Sequence, residues 1–178
     1  MIERSAAGAI LPDAGECRAT LDIARATPAD AAPLLALQRR AYAAEARLYD
    51  DWTIPPMTQS LASLLAEIES ATVLKACVGD ALVGSVRARL AAQTCLVGRL
   101  FVEPQRQRQG IGGALLAAIE AAFASAAVFE LFTGSRSEGN IRLYRRHGYA
   151  IATTKRLSDQ VDIVVMRKPA GGGSQSSS

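Results

Sequence analysis

Residues Gly98 to Ala118 read GRLFVEPQRQRQGIGGALLAA, and the rest of the chain takes its meaning from them. An apolar strand ends at Val102, a turn follows at Glu103-Pro104, and a basic loop, Gln105 to Gly113, opens directly into an apolar-periodic helix. Strand, cationic loop and helix N-terminus are the parts that hold a phosphate group. The first-turn N–H groups of a helix have no intrahelical partners, and the macrodipole adds partial positive charge there. Gly110, Gly112 and Gly113 let a bulky anion approach the backbone without meeting a Cβ, and Arg106 and Arg108 add full charges.

Two common nucleotide loops do not fit this stretch. A Walker loop needs Gly-Lys-Ser/Thr after its last glycine, and Gly113 is followed by Ala114-Leu115. A dinucleotide fingerprint needs a third small residue where Leu115 stands, in an early βαβ unit. Pro104, Gln107, Gly110 and Gly112 instead spell Pro-x-x-Gln-x-x-Gly-x-Gly. A second motif follows downstream, Ser137-Glu-Gly-Asn-Ile-Arg-Leu-Tyr-Arg-Arg-His-Gly-Tyr149. The first resembles the pyrophosphate loop, and the second the asparagine, tyrosine and Gly-Tyr segment, of the GNAT superfamily of acetyl-CoA-dependent N-acetyltransferases. The resemblance holds in element order from about Thr20 to Lys168 and is motif-specific within residues 98–149.

Composition sets the outer bounds. At 178 residues, with 49% apolar and 21% charged residues, the chain suits one globular domain with a real core. No apolar run approaches the ~20 residues of a membrane span. The N-terminus, with Glu3, Arg4, Asp13 and Glu16 around a patch broken by Pro12, is a poor signal peptide. Cys17, Cys77 and Cys95 are odd in number, widely spaced and without nearby histidines, which points to a reduced, cytoplasmic protein with no structural metal. The net charge of +3 conceals an asymmetry. Residues 1–97 hold nine Lys/Arg against eleven Asp/Glu, and residues 98–156 hold nine against four, so the phosphate loop lies in the basic half.

Periodicity orders the elements. Residues 1–20 show none and read as a flexible extension. Leu21 to Ala26 alternates like a strand. A helix follows, starting either at Thr27 or, with Pro33 in its first turn, at Asp30, and carrying Leu34, Leu37, Ala41 and Tyr42 on its apolar face. Tyr49 to Met57 reads as a loop, and Leu61, Leu64, Leu65 and Ile68 mark a second helix capped by Thr58. Val73–Val78 and Ala81–Leu90 make a hairpin about Gly79-Asp80, with Gly84 marking a bulge. The central strand runs from about Thr94 to Val102, and the glycine helix presents Ile111, Leu115, Ile119 and Phe123 to the sheet. Val128–Phe132 is a buried strand, Glu138–His147 a helix stopped by Gly148, and Tyr149–Thr154 and Val161–Met166 are closing strands. The domain is thus residues 21–168, and 169–178 form a Gly/Ser tail. These readings alone give an α+β domain with a largely antiparallel sheet. The resemblance implies one GNAT-like domain: a mixed, mostly antiparallel sheet with splayed central strands and helices on both faces.

What the resemblance implies about the site follows residue by residue. Acetyl-CoA is the co-substrate, with no metal. Its pyrophosphate lies along Gln107, Arg108, Gln109, Gly110, Ile111, Gly112 and Gly113. Its pantetheine and acetyl carbonyl lie along main-chain groups of Leu100, Phe101 and Val102, provided the strand splays from its neighbour. Tyr144 is the proton donor to the coenzyme A sulfur, since a phenol stays protonated at neutral pH. Asn140, one turn earlier on the same helix face, contacts the cofactor, or Ser137 does so in its place. The family often has a glutamate on the central strand, where this chain offers Arg99, or on the strand after the glycine helix, where it offers Glu130. Glu45 is the alternative general base, and water can also carry off the proton.

The acceptor side is read from charge and rings. Glu45, Asp50 and Asp51 cluster with Tyr42, Tyr49 and Trp52, which suits a primary amine that is cationic when free, with Tyr49, Asp51 and Trp52 touching it. His147 reads as structural. Arg142, Arg145 and Arg146 read as a solvated face or a contact to the coenzyme 3′-phosphate, since no aromatics interleave them as a nucleic-acid surface would require. The expected partner is a small-molecule amine, without nucleic acid or membrane, and a homodimer is compatible. Two other readings stay open: acetylation of a protein N-terminus or lysine, and a non-catalytic acyl-CoA sensor.

Overall fold

The computed structural model describes residues 20–159 and 161–171. The expected extension before Thr20, Cys17 with it, and the tail from Gly172 lie outside the described residues. Among the described residues, seven strands and five α-helices follow one another. They are β1 Leu21–Arg25, α1 Ala31–Tyr49, α2 Pro55–Thr58, α3 Leu61–Ser70, β2 Thr72–Val78, β3 Ala81–Ala91, β4 Thr94–Val102, α4 Ile111–Ala122, β5 Val128–Gly134, α5 Glu138–Arg146, β6 Ala150–Arg156 and β7 Asp162–Pro169. The strands form one sheet in the order β1-β2-β3-β4-β5-β7-β6. All neighbours are antiparallel except β4 and β5.

That exception sets the function of the sheet. β4 and β5 run parallel and pair only through Thr94–Leu96 against Val128–Glu130. Beyond Leu96 the two strands part, and β4 continues to Val102 paired with β3 alone. Its other edge keeps main-chain groups that no strand satisfies, the splay that the resemblance requires. β4 also carries a bulge: Ser85 faces Phe101 while Arg87 faces Gly98, and Arg99 within it adopts φ 49°. The expected bulge beside Gly84 is present as well, at the register shift opposite Ala76 and Cys77.

One core lies on each face of the sheet. α4 buries Ile111, Leu115, Leu116 and Ile119 against Val83, Val86, Val97, Phe129 and Leu131. Complete burial of a leucine or isoleucine is worth about 1.5–3 kcal/mol, so this stripe fixes α4 over the split. On the other face α1 and α3 bury Leu34, Leu35, Leu37, Leu64 and Ile68 over Val73 and Phe101. Cys95 lies within the first core and Cys77 is half-buried.

Helix ends resolve two alternatives. Asp30 precedes α1, so Pro33 falls in the first turn, where its missing N–H costs nothing. Thr27 caps the short 3-10 turn before it, and its N–H and Oγ1 donate to Asp30 Oδ2 at 2.8 and 2.9 Å. Two expectations are corrected. Thr58 does not cap α3, because it lies inside the short α2; extended Ser60 accepts from the Ser63 N–H at 3.1 Å instead. Residues 49–57 are only partly loop, since α1 runs to Tyr49 and stops on left-handed Asp50, and α2 follows at Pro55. Buried Gln38 ties this segment down, donating to Pro56 O at 2.9 Å and Gln59 Oε1 at 3.0 Å.

Candidate active site

The split between β4 and β5 opens into a cleft of about 960 Å³. One wall is the β4 edge at Leu100, Phe101 and Val102, and its floor is the loop into α4. Arg108 and Gly110 both turn left-handed there, at φ 61° and 85°. The second is the N-cap of α4, and a Cβ added to it would meet nothing within 4 Å, so the approach to the helix N-terminus is open. Of the loop residues, Gln107, Arg108, Gly110, Gly112 and Gly113 line the cleft. Gln109 does not, and its side chain turns back toward Gln105 O. Ile111 is buried in the α4 core.

The glycines serve packing as well as access. A Cβ on Gly113 would sit 2.7 Å from His147 Nε2, so α5 can lie beside α4 only because that position is bare. His147 packs over Gly113 and also lines the cleft. Arg106, Arg142 and Arg146 join Arg108 there, making one end strongly cationic. Asn140 lines the cleft and donates to Thr133 Oγ1 at 3.3 Å. Ser137 does not line it, because its hydroxyl is turned to Glu45.

Glu45 is the one carboxylate among the described residues on the cleft wall. It stands one turn after Tyr42 on α1, and Tyr42 also lines the cleft, its ring meeting Phe101 edge-on at 6.1 Å. Burial pushes the Glu45 carboxyl above the usual carboxylate range, opposed by the Ser137 hydroxyl, the Gly134 backbone and the charge of Arg99. Burial and then Glu45 push the Tyr42 phenol up to about 12. In sequence Tyr42 reads as part of the α1 apolar face and of the acceptor-side cluster, and its i, i+3 spacing from Glu45 places both on one side. Glu130, the other candidate base, is held at 2.6 Å by Arg167 and stays outside the cleft.

Tyr144 is 6% exposed and tilts against Tyr149 with ring centroids 6.1 Å apart. Its neighbours Asn140 and Leu143 line the cleft and it does not. Burial first, then Tyr42 and Glu45, push its phenol well above the usual range. Its hydroxyl has no hydrogen-bond partner among the described residues, which leaves the proton available.

The residues expected to touch the acceptor are placed elsewhere. Tyr49 is buried, and its hydroxyl accepts from the Arg136 N–H at 2.7 Å. Its ring occupies the place where a Cβ on Gly134 would be, 2.7 Å from ring carbons. Asp51 Oδ1 accepts from Thr53 N–H and Oγ1 at 2.8 and 2.6 Å, closing its own turn. Trp52 is exposed beneath the Arg47 guanidinium, 5.8 Å from its ring centroid. None of the three lines the cleft. Aromatic residues next to acids looked like a binding wall in sequence, but Tyr49 is engaged by Gly134 and Arg136, Asp51 by its own turn and Trp52 by Arg47.

Fold and cleft define a class: an α+β transferase domain that opens its sheet beside a cationic helix N-terminus. Residues 69–151 match the family model described as Acetyltransferase (GNAT) domain. Among solved structures, the chain is similar to the ribosomal-protein-S18-alanine N-acetyltransferase of Escherichia coli, at 18% identity and TM-score 0.71 over 89% of this chain and 99% of that one. It is similar to the PaiA N-acetyltransferase of Thermoplasma acidophilum, solved in complex with coenzyme A, at 19% identity and TM-score 0.69 over 84% and 99%. It is also similar to an N-acetyltransferase of Staphylococcus aureus Mu50, at 15% identity and TM-score 0.71 over 85% and 99%. At these identities the structures speak for the fold. Comparison with curated proteins finds no significant match. Family model and fold agree on a GNAT-type acetyltransferase domain, the model over residues 69–151 and the fold over most of the described residues.

Proposed function

We propose that the protein moves an acetyl group from acetyl-CoA directly to a primary amine of a small molecule, within one ternary complex. The observation that carries this reading is a cleft at the β4–β5 split that is cationic at one end and holds a single carboxylate, Glu45, on its wall. The arginines and the open N-terminus of α4 suit the pyrophosphate and 3′-phosphate of coenzyme A. The solved relative in complex with coenzyme A adds support at the level of the fold. The unpaired β4 edge from Leu100 to Val102 suits the pantetheine amides, and an N–H there can hold the carbonyl oxygen as it gains charge.

The proton balance falls to two residues. Glu45 takes a proton from the bound ammonium, and the freed nitrogen attacks the thioester carbonyl carbon. When the tetrahedral adduct collapses and the C–S bond breaks, the nitrogen gives its second proton to solvent, and the sulfur leaves as thiolate or takes the proton of Tyr144, which is regained from solvent. The raised carboxyl range of Glu45 suits it to a proton-accepting task near neutral pH. Free-thiol release from acetyl-CoA with a panel of amines and short peptides tests the reading. Thiol release that depends on a small amine supports it. Coenzyme A binding without thiol release for any acceptor would leave only a sensor, and release with peptides alone would make the protein a peptide acetyltransferase.

A further inference from the structure

The chain has four tyrosines, and the fold uses the hydroxyls of two. The Tyr49 hydroxyl accepts from the Arg136 N–H at 2.7 Å, and the Tyr149 hydroxyl donates to Glu120 Oε1 at 2.9 Å. Tyr144 is buried and is not part of the cleft wall. Tyr42 alone of the four lines the cleft. Its hydroxyl bonds to no described residue, and it is not among the unpaired polar atoms that are sealed from solvent, so it is reached from the cleft.

Two relationships place this phenol at the end of the cleft where β4 has left β5. Its ring meets Phe101 edge-on, with centroids 6.1 Å apart, and Phe101 lies beyond the last residue of β4 that pairs with β5. Glu45 stands one turn further along α1 and lines the same cleft. Positions three apart on a helix hold their Cβ atoms about 5–6 Å from each other, so phenol and carboxylate are neighbours. They do not bond to each other, and Glu45 Oε1 is taken by Ser137. Of the α1 and β4 residues on the wall (Ala41, Tyr42, Glu45, Leu100, Phe101 and Val102), Tyr42 carries the one hydroxyl. Burial first, then the charge of Glu45, raise its phenol to about 12, so near neutral pH it is a donor and not a base.

A donor needs an acceptor, and a bound ammonium offers only N–H groups. The thioester carbonyl offers an oxygen, and the negative charge on that oxygen grows as the nitrogen adds. We propose that Tyr42 is a further catalytic residue, whose hydroxyl donates to the acyl carbonyl oxygen together with the main-chain N–H groups of the free β4 edge. This rests on the acetyl-transfer reading and deepens it. The phenol keeps its proton throughout: its hydrogen bond tightens as nitrogen attacks the carbonyl carbon and relaxes when the adduct collapses and the C–S bond breaks. Carboxylate and phenol thereby divide the chemistry, Glu45 serving the nitrogen and Tyr42 the oxygen. A donor already positioned where charge develops needs no reorganisation at the moment of reaction, and losing one typically costs about 10²–10³-fold in kcat.

The test is Tyr42→Phe, which keeps the ring against Phe101 and removes only the hydroxyl. With acetyl-CoA and each amine that the parent accepts, kcat should fall by about 10²–10³-fold, and by nearly the same factor for every amine. Acceptor KM, acetyl-CoA affinity and melting temperature should stay near those of the parent. A second readout needs no turnover: the infrared spectrum of bound acetyl-CoA carrying an isotope-labelled carbonyl carbon, recorded without any amine. A hydrogen bond to a carbonyl lowers its stretching frequency. The labelled band should therefore lie lower in the parent than in Tyr42→Phe, and Tyr144→Phe should leave it in place. Equal bands in parent and Tyr42→Phe, or an unchanged kcat, overturn the inference. So does a raised acceptor KM at constant kcat, which would make Tyr42 an acceptor contact, or a joint loss of melting temperature and acetyl-CoA binding, which would make it packing. Absence of thiol release with every amine, alongside a band shift that depends on Tyr42, would instead sink the acetyl-transfer reading and leave the carbonyl contact standing.

Discussion

Ser137 Oγ donates to Glu45 Oε1 at 3.0 Å, across 92 residues of chain. Ser137 is the N-cap of α5, but its side chain does not cap that helix. A hydroxyl that would ordinarily stabilise its own helix is used on a carboxylate of α1. The same short turn is pinned to α1 a second time, by the Arg136 N–H on the Tyr49 hydroxyl. Two bonds from adjacent residues thus set where the α1 carboxylate stands relative to the β4–β5 split.

Ser137→Ala removes the stronger of the hydrogen bonds that hold the Glu45 pKa down. Burial then acts with less opposition, and the carboxyl holds its proton to higher pH. The acid limb of kcat/KM should move to higher pH. At a pH on that limb the rate should fall about tenfold, by the measure of a hydrogen bond to a charged group, and at higher pH it should approach the parent. A uniform loss at every pH would mean that Ser137 serves the fold and not the carboxylate.

Glu45→Gln keeps the shape and the Ser137 bond while removing the base. Glu45 is raised by burial, so its proton-accepting form is lost as pH falls through a range above that of an exposed carboxylate. The parent rate should fall with it. In the variant kcat/KM should be lower by about 10²–10⁴-fold, and the limb belonging to Glu45 should disappear. A profile with the same limb in both proteins assigns it to the acceptor amine and returns the proton to water.

Most of the fold was readable because it rests on local periodicity. The α4 stripe Ile111, Leu115 and Ile119, and the alternation in β1, each follow from a spacing of a few residues. The loop was readable for the same reason, as a strand, two arginines and a helix start lie within one short stretch. What could not be read is set by long-range contact. Nothing near Ser137 says that its hydroxyl meets Glu45, and nothing near Tyr49 says that its ring fills the space over Gly134. Asp51 and Trp52 illustrate the converse: their composition suggested a wall, and neither lines the cleft.

Tyr49→Phe should cost stability rather than acceptor binding. The variant keeps the ring over Gly134 and strips the acceptor from the Arg136 N–H, which is partly buried. Leaving such a donor unpaired costs about 1–3 kcal/mol, which lowers the melting temperature by several degrees in a domain of this size. Unchanged melting with a raised acceptor KM would restore Tyr49 to the acceptor wall.

Tyr144→Phe keeps the packing against Tyr149 and removes one hydroxyl. Because the phenol is raised far above neutral pH, it acts only as a proton or hydrogen-bond donor and never as a base. The value of kcat should drop by about 10²–10⁴-fold with little change in acetyl-CoA affinity. Unaltered turnover would reduce Tyr144 to a core tyrosine, which its burial alone would also explain.

The cofactor end of the cleft can be tested by charge at a single glycine. Gly112 lies in the first turn of α4 and lines the cleft; a Cβ there would come within 3.3 Å of Leu143 Cδ2 and 3.8 Å of Val102 Cγ2. The first contact is with a terminal methyl group, which can yield by a few tenths of an ångström. Gly112→Ala should therefore fold and bind coenzyme A within a few-fold of the parent. Gly112→Glu adds a carboxylate at the helix N-terminus, where it can pair with Arg106 or Arg108 and take the place of the pyrophosphate. That variant should melt no lower than the alanine variant and lose measurable binding by calorimetry. Raising ionic strength should weaken the parent complex, since partly exposed arginines lose reach as the Debye length shortens toward about 3 Å at 1 M salt. Tight binding by Gly112→Glu would remove the pyrophosphate from this loop. Equal loss in the alanine and glutamate variants would make the cause steric, and the anion would then have to be sought at Arg142 and Arg146.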